Sequence, residues 1–357
     1  MHFVIDECCI RKCHLTFNIN IFYRGFRITP HPKYCIVSNR SFLMSTFTNF
    51  FIQHEYASLA ALGDRLGEIS GLLDWDAFRP LLADLYTNDT EKGGRPNYDV
   101  ILMIRMLVLQ QWYGLSDPEL ERQATDRISF RHFLGYPETI PDRSTIWLFR
   151  ERLASSGKDT AIWEEFQRQL ETKGLTIKRG VIQDATFITA DPGHAPVDTP
   201  RGDQARTRRS RDGTWAKKGS KLQFGYKLHI LMDKENQLIR RIETTTASVH
   251  DSRIDLSRNG ETVYRDKGYF GVKPQASMDK TMHRATRGHP LSIKENRRNK
   301  AISRTRSLVE RPFAVVKRVF HAGQLMITTI ARVRVKNTFS CINFNLRQLC
   351  TLNQRSA

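Results

Sequence analysis

The chain has 357 residues, with Lys+Arg 56 against Asp+Glu 37 for a formal net charge of +19, and 40% of it is hydrophobic and 10% aromatic. That length is about two domains at roughly 150 residues each, which excludes a peptide ligand or a disulfide-stapled mini-scaffold. The surplus of cations points to a polyanionic partner, nucleic acid ahead of an anionic membrane surface.

Residues 1–43 show neither helical nor strand periodicity and end before Met44, where patterned sequence begins. They are expected to be a non-functional extension, with Met44 as the true start. Cys8, Cys9, Cys13 and His14 lack the second spaced pair that a tetrahedral zinc site needs. The six cysteines leave the interval from 35 to 341 empty and form no C-x-x-C pair, as expected in a reducing cytoplasm. No basic stretch leads into an uninterrupted apolar one, so secretion is not expected. The longest apolar run, 100–109, contains Arg105 and is half of the roughly 20 residues that a membrane span requires, so a soluble protein without a membrane partner is expected.

Residues 44–155 read as helical. Val100, Met103, Ile104, Leu107 and Val108 fall on one helix face, which Gly114 ends. Ser116 and Glu119 have the spacing of a capping box for the next helix. A short helix runs from about Ser129 to Gly135. Another starts near Asp142 to Ser144, with Ile146, Phe149 and Leu153 inward and Arg143, Arg150 and Arg152 outward. Short helices with glycine turns and a closing arginine-bearing helix suit an all-α, helix-turn-helix-like DNA reader. A plain bundle with a charged face fits the same pattern.

A connecting helix is expected within 156–178, with Trp163, Phe166 and Leu170 on one face. The period then changes to that of strands, at 181–188, 226–233 and 238–246, with a fourth at 262–264 and a return to helix over about 292–320. This describes an α/β domain over 179–330 with a basic loop at 191–221, followed by a tail at 331–357.

The charge is concentrated. Residues 201–221 carry +6 and residues 284–318 carry +9, together 15 of the net 19, which argues for two polyanion-facing strips. The first contains Arg208, Arg209, Lys217 and Lys218. Its Trp215 can either stack on an unpaired base or anchor the loop.

Three carboxylates stand out. Asp184 lies inside the apolar strand VIQDATFI, where an unpaired charge costs several kcal/mol. Asp266 follows the fourth strand directly and, alone, reads as a turn residue. Glu310 lies on the late helix, where Arg306, Glu310 and Lys317 fall within about 40° of one another. An i, i+4 salt bridge accounts equally for the Arg306 and Glu310 spacing. Taken together, carboxylates from a first strand, a fourth strand's end and a following helix can hold two divalent ions for phosphodiester displacement. Magnesium suits such a set of hard oxygen ligands.

From about Gly94 to about Phe320 the sequence resembles a transposase of the DDE superfamily, of the insertion-sequence-five type. The resemblance is carried by RPNYDVILMIRMLVLQQWYGLSDPELE, PDRSTIWLFRERL, VIQDATFI, VYRDKGYFG and RSLVERPFAVVKR. It implies a ribonuclease-H-like catalytic domain behind a helical DNA-binding domain. It also implies metal-dependent cutting and joining of double-stranded DNA at the terminal inverted repeats of the enzyme's own element, with two magnesium or manganese ions per site. Asp184, Asp266 and Glu310 match the catalytic carboxylates, and Arg306 and Lys317 the basic residues beside the glutamate. Ser303 stands where the wider superfamily often has a tyrosine, and Pro312, expected to kink the helix, belongs to the pattern of this subgroup. Homo-oligomerisation on DNA and a place at the nucleoid in the cytoplasm are implied as well. A domesticated DNA-binding derivative, or a nuclease of the same fold without strand transfer, would share most of these features.

Overall fold

The computed structural model describes residues 47–86, 96–193, 210, 212–327 and 329–356. The cysteines and His14 of the first 43 residues, together with Arg208 and Arg209, lie outside these. Residues Thr46–Ala357 form one compact unit.

The helical part contains α1 (Phe47–Ala61), α2 (Arg65–Ser70), α3 (Val100–Tyr113), α4 (Asp117–Asp126), α5 (Ile128–Phe133), α6 (Arg143–Ser156) and α7 (Asp159–Thr172). The one-faced reading of α3 is too narrow: Ile101, Leu102, Met106 and Leu109 are buried along with the expected stripe, so this helix is core on nearly all sides. Its end is set by Gly114 at φ +64°, where a Cβ would come within 2.3 Å of the His321 ring. The capping box at Ser116 is only half made. Ser116 Oγ accepts from Glu119 N, but the Glu119 carboxylate turns to Arg122 and Gln123.

The second part is built on β1 (Val181–Ala190), β2 (Thr214–Lys218), β3 (Lys221–Asp233), β4 (Ile239–Thr246), β5 (Thr262–Arg265) and β6 (Met278–Thr281). α8 (Ile293–Arg306) and α9 (Glu310–Ala314) follow, then β7 (Gln324–Leu325) and α10 (Ile330–Ser356). The sheet is mixed, with the order β2-β3-β1-β5-β6; β4 pairs with β3, and β7 with the far end of β1. β3 runs antiparallel to β1 and β5 parallel to it. This mixed α/β architecture is consistent with the ribonuclease-H-like expectation. The basic loop expected at 191–221 includes β2, which makes a hairpin with the start of β3. At Gly225, φ +153°, the strands approach so closely that a Cβ would lie 2.1 Å from Ile188 O.

The late helix is not continuous. α8 gives way to a 3-10 turn at Ser307–Val309, then α9, then a π-helical turn at Val315–Val319. Pro312 has no N–H for Leu308 O, so the expected kink takes the form of a change in helix type on either side of it.

Residues 331–357 are no loose tail. They make up nearly all of the 27-residue α10, which buries Val333, Phe339, Phe344, Leu346 and Leu349. Asn343 Nδ2 donates to Val108 O of α3 at 2.9 Å. Asn345 accepts from Ile239 N and donates to Ile239 O of β4, both at 2.8 Å. α10 therefore supplies hydrogen-bond partners to the helical part and to the sheet at once. One continuous core joins Leu107, Phe149, Ile182, Phe313 and Phe344, which explains why the two parts do not separate into independent units.

Candidate active site

β1 and β5 place the first two carboxylates. The paired positions Ile182 and Tyr264 put Asp184 and Asp266 at the same level, Asp184 two residues further along β1 and Asp266 two residues further in the parallel chain, directly after the end of β5. Such strands lie about 4.8 Å apart, and residues two apart share a face. Asp184 thus shares the face of Ile182, which packs in the main core, while Gln183 shares the other face with Val181. Asp266 opens a turn, its Oδ1 accepting from Gly268 N at 2.6 Å. The turn reading and the site reading of this residue are compatible.

The third carboxylate comes from the start of α9. Glu310 is 67% exposed, with Oε1 3.8 Å from Arg306 Nη2. The expected i, i+4 pair exists but is loose. The tighter partner of Arg306 is Asp184 Oδ2, so one guanidinium links the first carboxylate to the third. Ala185 N donates to Asp184 Oδ1 at 2.9 Å.

The electrostatics follow from burial. Asp184 is pushed up to about 6, chiefly by burial and further by the charges of Asp266 and Glu310, with Arg306 and the Ala185 amide acting against the shift. Burial, together with Asp184, Asp251 and Asp266, also holds the Tyr269 phenol well above its ordinary value. Asp266 and Glu310 therefore lie within electrostatic reach of Asp184. Among the described residues, no three His, Cys, Asp or Glu side chains are gathered at metal-holding distances. The donor chemistry nevertheless fits a hard divalent cation: these are oxygen donors, and one is buried where its charge is costly unless balanced.

The basic residues expected at DNA are distributed unevenly. Lys317 lines a pocket of about 370 Å³ with Phe187, Thr189, Lys221, Gln223 and Gly323. Lys217 is exposed on β2; of Lys218 only the backbone position is described. Trp215 is 50% exposed, with its ring 5.3 Å from that of Phe224 across the hairpin, so it both anchors the hairpin and presents a free edge. On α6, Arg143 is exposed. Arg150 is tied to Asp117 in a two-pronged pair at 2.7 and 2.6 Å, and Arg152 lies 5.0 Å over the Tyr86 ring. The outward stripe read from the helix period thus contains two arginines held by neighbouring elements.

One residue of this neighbourhood was missed from the sequence. Arg265, directly before Asp266, is fully buried. It donates from Nε to Thr281 Oγ1 at 2.8 Å and from Nη2 to Val272 O at 2.7 Å, and its guanidinium lies 5.4 Å over the Tyr269 ring. Strand parity with Val263 was the available signal, because that face points inward.

Comparison with known families gives a match for each part of the chain. A transposase domain model (DUF772) matches residues 54–152, and a transposase DDE domain model matches residues 176–346. No solved structure matches the chain. Among the described residues, no helix is long and apolar enough to cross a membrane. With carboxylates at a strand centre, a strand end and a late helix inside the second matched domain, and the two matched domains in the expected order, the chain belongs to the DDE-superfamily insertion-sequence transposases.

Proposed function

We propose that the protein is a DNA transposase of the insertion-sequence-five type. It binds the terminal inverted repeats of its own element, cleaves a strand there and transfers it to target DNA, working as a homo-oligomer on the DNA at the nucleoid. The observation that carries this reading is the level placement of Asp184 and Asp266, with Arg306 reaching from Asp184 to Glu310.

Asp184, Asp266 and Glu310 would hold magnesium or manganese, two ions per site. When bound, the metal supplies positive charge for activating a water or 3′-hydroxyl and for stabilising the leaving oxygen. The remaining work falls to the chain itself. The Asp266 turn keeps one carboxylate pointed by its bond from Gly268 N. Arg306 offsets the burial of Asp184 and aligns it with Glu310. Arg143 with its helix-turn-helix-like surroundings, together with Lys217, Lys218, Trp215, Arg208, Arg209 and Lys317, would contact DNA. Arg150 and Arg152 would shape that surface through Asp117 and Tyr86.

The test is nicking and strand transfer on terminal-repeat DNA with magnesium, beside a gel shift on the same DNA, for wild type, Asp184→Asn, Asp266→Asn and Glu310→Gln. Cleavage is expected to collapse in all three variants while binding holds. If Glu310→Gln cuts within about tenfold of wild type, a barrier difference of only about 1.4 kcal/mol, Glu310 is not the third ligand. Nicking without joining would leave a nuclease, and binding without metal-dependent nicking a regulatory derivative.

A further inference from the structure

α8 carries six cations, and the structure divides them into two sets. Arg298 is used inward, its Nη1 donating to Thr281 O at 2.7 Å, and Arg306 is used on Asp184. Lys294, Arg297, Lys300 and Arg304 are all exposed, and none of the four pairs with a carboxylate among the described residues. At about 100° per residue they fall within an arc of about 120°, along about 15 Å of helix. The only carboxylate of α8, Glu295, is already engaged, accepting from Ser292 N at 2.8 Å and contacting His283 Nδ1 at 2.9 Å.

The stripe is rigidly mounted. Ser292 and Glu295 form a complete capping box at the start of α8. Asn299 donates to His283 O and accepts from His283 N, both at 2.9 Å, and Ile302 is buried beneath. Beside the stripe lies a groove of about 490 Å³ lined by Lys300, Ser303, Arg304 and Ser307, with Asn299 and Met282 behind them. Cations and hydroxyls without a carboxylate make up a lining suited to phosphate oxygens.

We infer that this face of α8 is a rail for the phosphate backbone of duplex DNA, separate from the carboxylate site and indifferent to base sequence. A DNA strand presents one phosphate per about 3.4 Å of helix axis, so about 15 Å of rail faces about four phosphates, matching the four cations. The inference rests on the DNA-transposase reading.

The experiment measures binding of the full chain to a fluorescein-labelled duplex by anisotropy across a salt series, using terminal-repeat and scrambled sequences. The variant carries Lys294→Gln, Arg297→Gln, Lys300→Gln and Arg304→Gln. A control neutralises four exposed cations elsewhere, Lys173, Lys178, Arg258 and Arg355. The rail predicts that the slope of log K against log salt falls by about 3.6 in the variant and by less than about 1 in the control, at roughly 0.9 per phosphate contact. The loss should be equal on both sequences, because phosphate contacts carry no base information. A variant within twofold of wild type, an equal loss in the control, or a loss confined to the terminal repeat overturns the rail while the DNA reading stands. Failure of the wild type to bind either duplex overturns both.

Discussion

Asp184 and Asp266 stand level with each other because β1 and β5 run parallel with Ile182 opposite Tyr264, so that two further residues on each strand bring both carboxylates to one height. Their spacing is thus fixed by backbone register and not by side-chain reach. Asp184→Glu and Asp266→Glu keep the charge but displace it by about one methylene. Each is expected to lower cleavage by about 100-fold, the usual effect of an ångström-scale misplacement, with the gel shift unchanged. Cleavage near the wild-type rate in either variant would mean that this register does not set the site.

Arg306 balances a buried charge. Arg306→Met leaves Asp184 partly buried with only the Ala185 amide as a partner, which should lower stability by about 1–3 kcal/mol. Adding Asp184→Asn should restore most of that loss in a urea melt without restoring cleavage. Additive losses in the double variant would show that the two side chains are not coupled.

Arg265 clamps the turn that carries Asp266. Arg265→Met retains volume but removes donors from Val272 O and Thr281 Oγ1, at a cost of about 2 kcal/mol. The melting temperature and cleavage should both fall, while DNA affinity holds. Unchanged cleavage would show that the turn is positioned without the clamp.

His229 is buried neutral. Burial lowers it to about 4, with Lys227 adding to the shift and Asp251 opposing it, and its Nε2 contacts Thr245 Oγ1 at 2.9 Å. The unfolded chain binds this proton below about pH 6.5, whereas the folded chain resists until about 4. The associated stability is therefore full above about pH 6.5 and lost on acidification towards 4, by at most about 3 kcal/mol. Urea midpoints across this range should fall in wild type and fall less in His229→Gln. Parallel pH curves would assign the loss to other groups.

The two ends of the chain should respond differently to deletion. A chain begun at Met44 retains the compact unit Thr46–Ala357 and is expected to melt like the full chain and to cleave equally well. Removing residues 331–357 takes away Val333, Phe339, Ile342, Phe344, Leu346 and Leu349. At about 1.5–3 kcal/mol each, the six together contribute about 9–18 kcal/mol, as much as the roughly 5–15 kcal/mol by which domains are stable. No cooperative melt should remain. A folded truncation, judged by circular dichroism, would contradict the core described above.

The sequence alone determined features that depend on near neighbours. The apolar strand around Asp184, the glycine stop after α3 and the strand ending before Asp266 could all be read from local pattern, because hydrophobic period and turn chemistry act over a few residues. The motif order around the three carboxylates was legible for the same reason, and it led to the family. Only the tertiary structure decided which charges are free. Arg150 and Arg304 look alike in the text, yet the first meets Asp117 from 33 residues away while the second meets no carboxylate among the described residues. The role of α10 was hidden for a related reason. Its inward face carries Asn337, Asn343 and Asn345 as well as apolar side chains, and those amides look like surface until Thr244, Val108 and Ile239 arrive from 93, 235 and 106 residues away to bond them. Arg265 reads as a cation at a strand's end, and burying it is tolerable only because Val272 O, Thr281 Oγ1 and the Tyr269 ring converge on it in the fold. A buried polar group is paired by residues far away in the chain, so its partners become visible only once the chain has closed on itself.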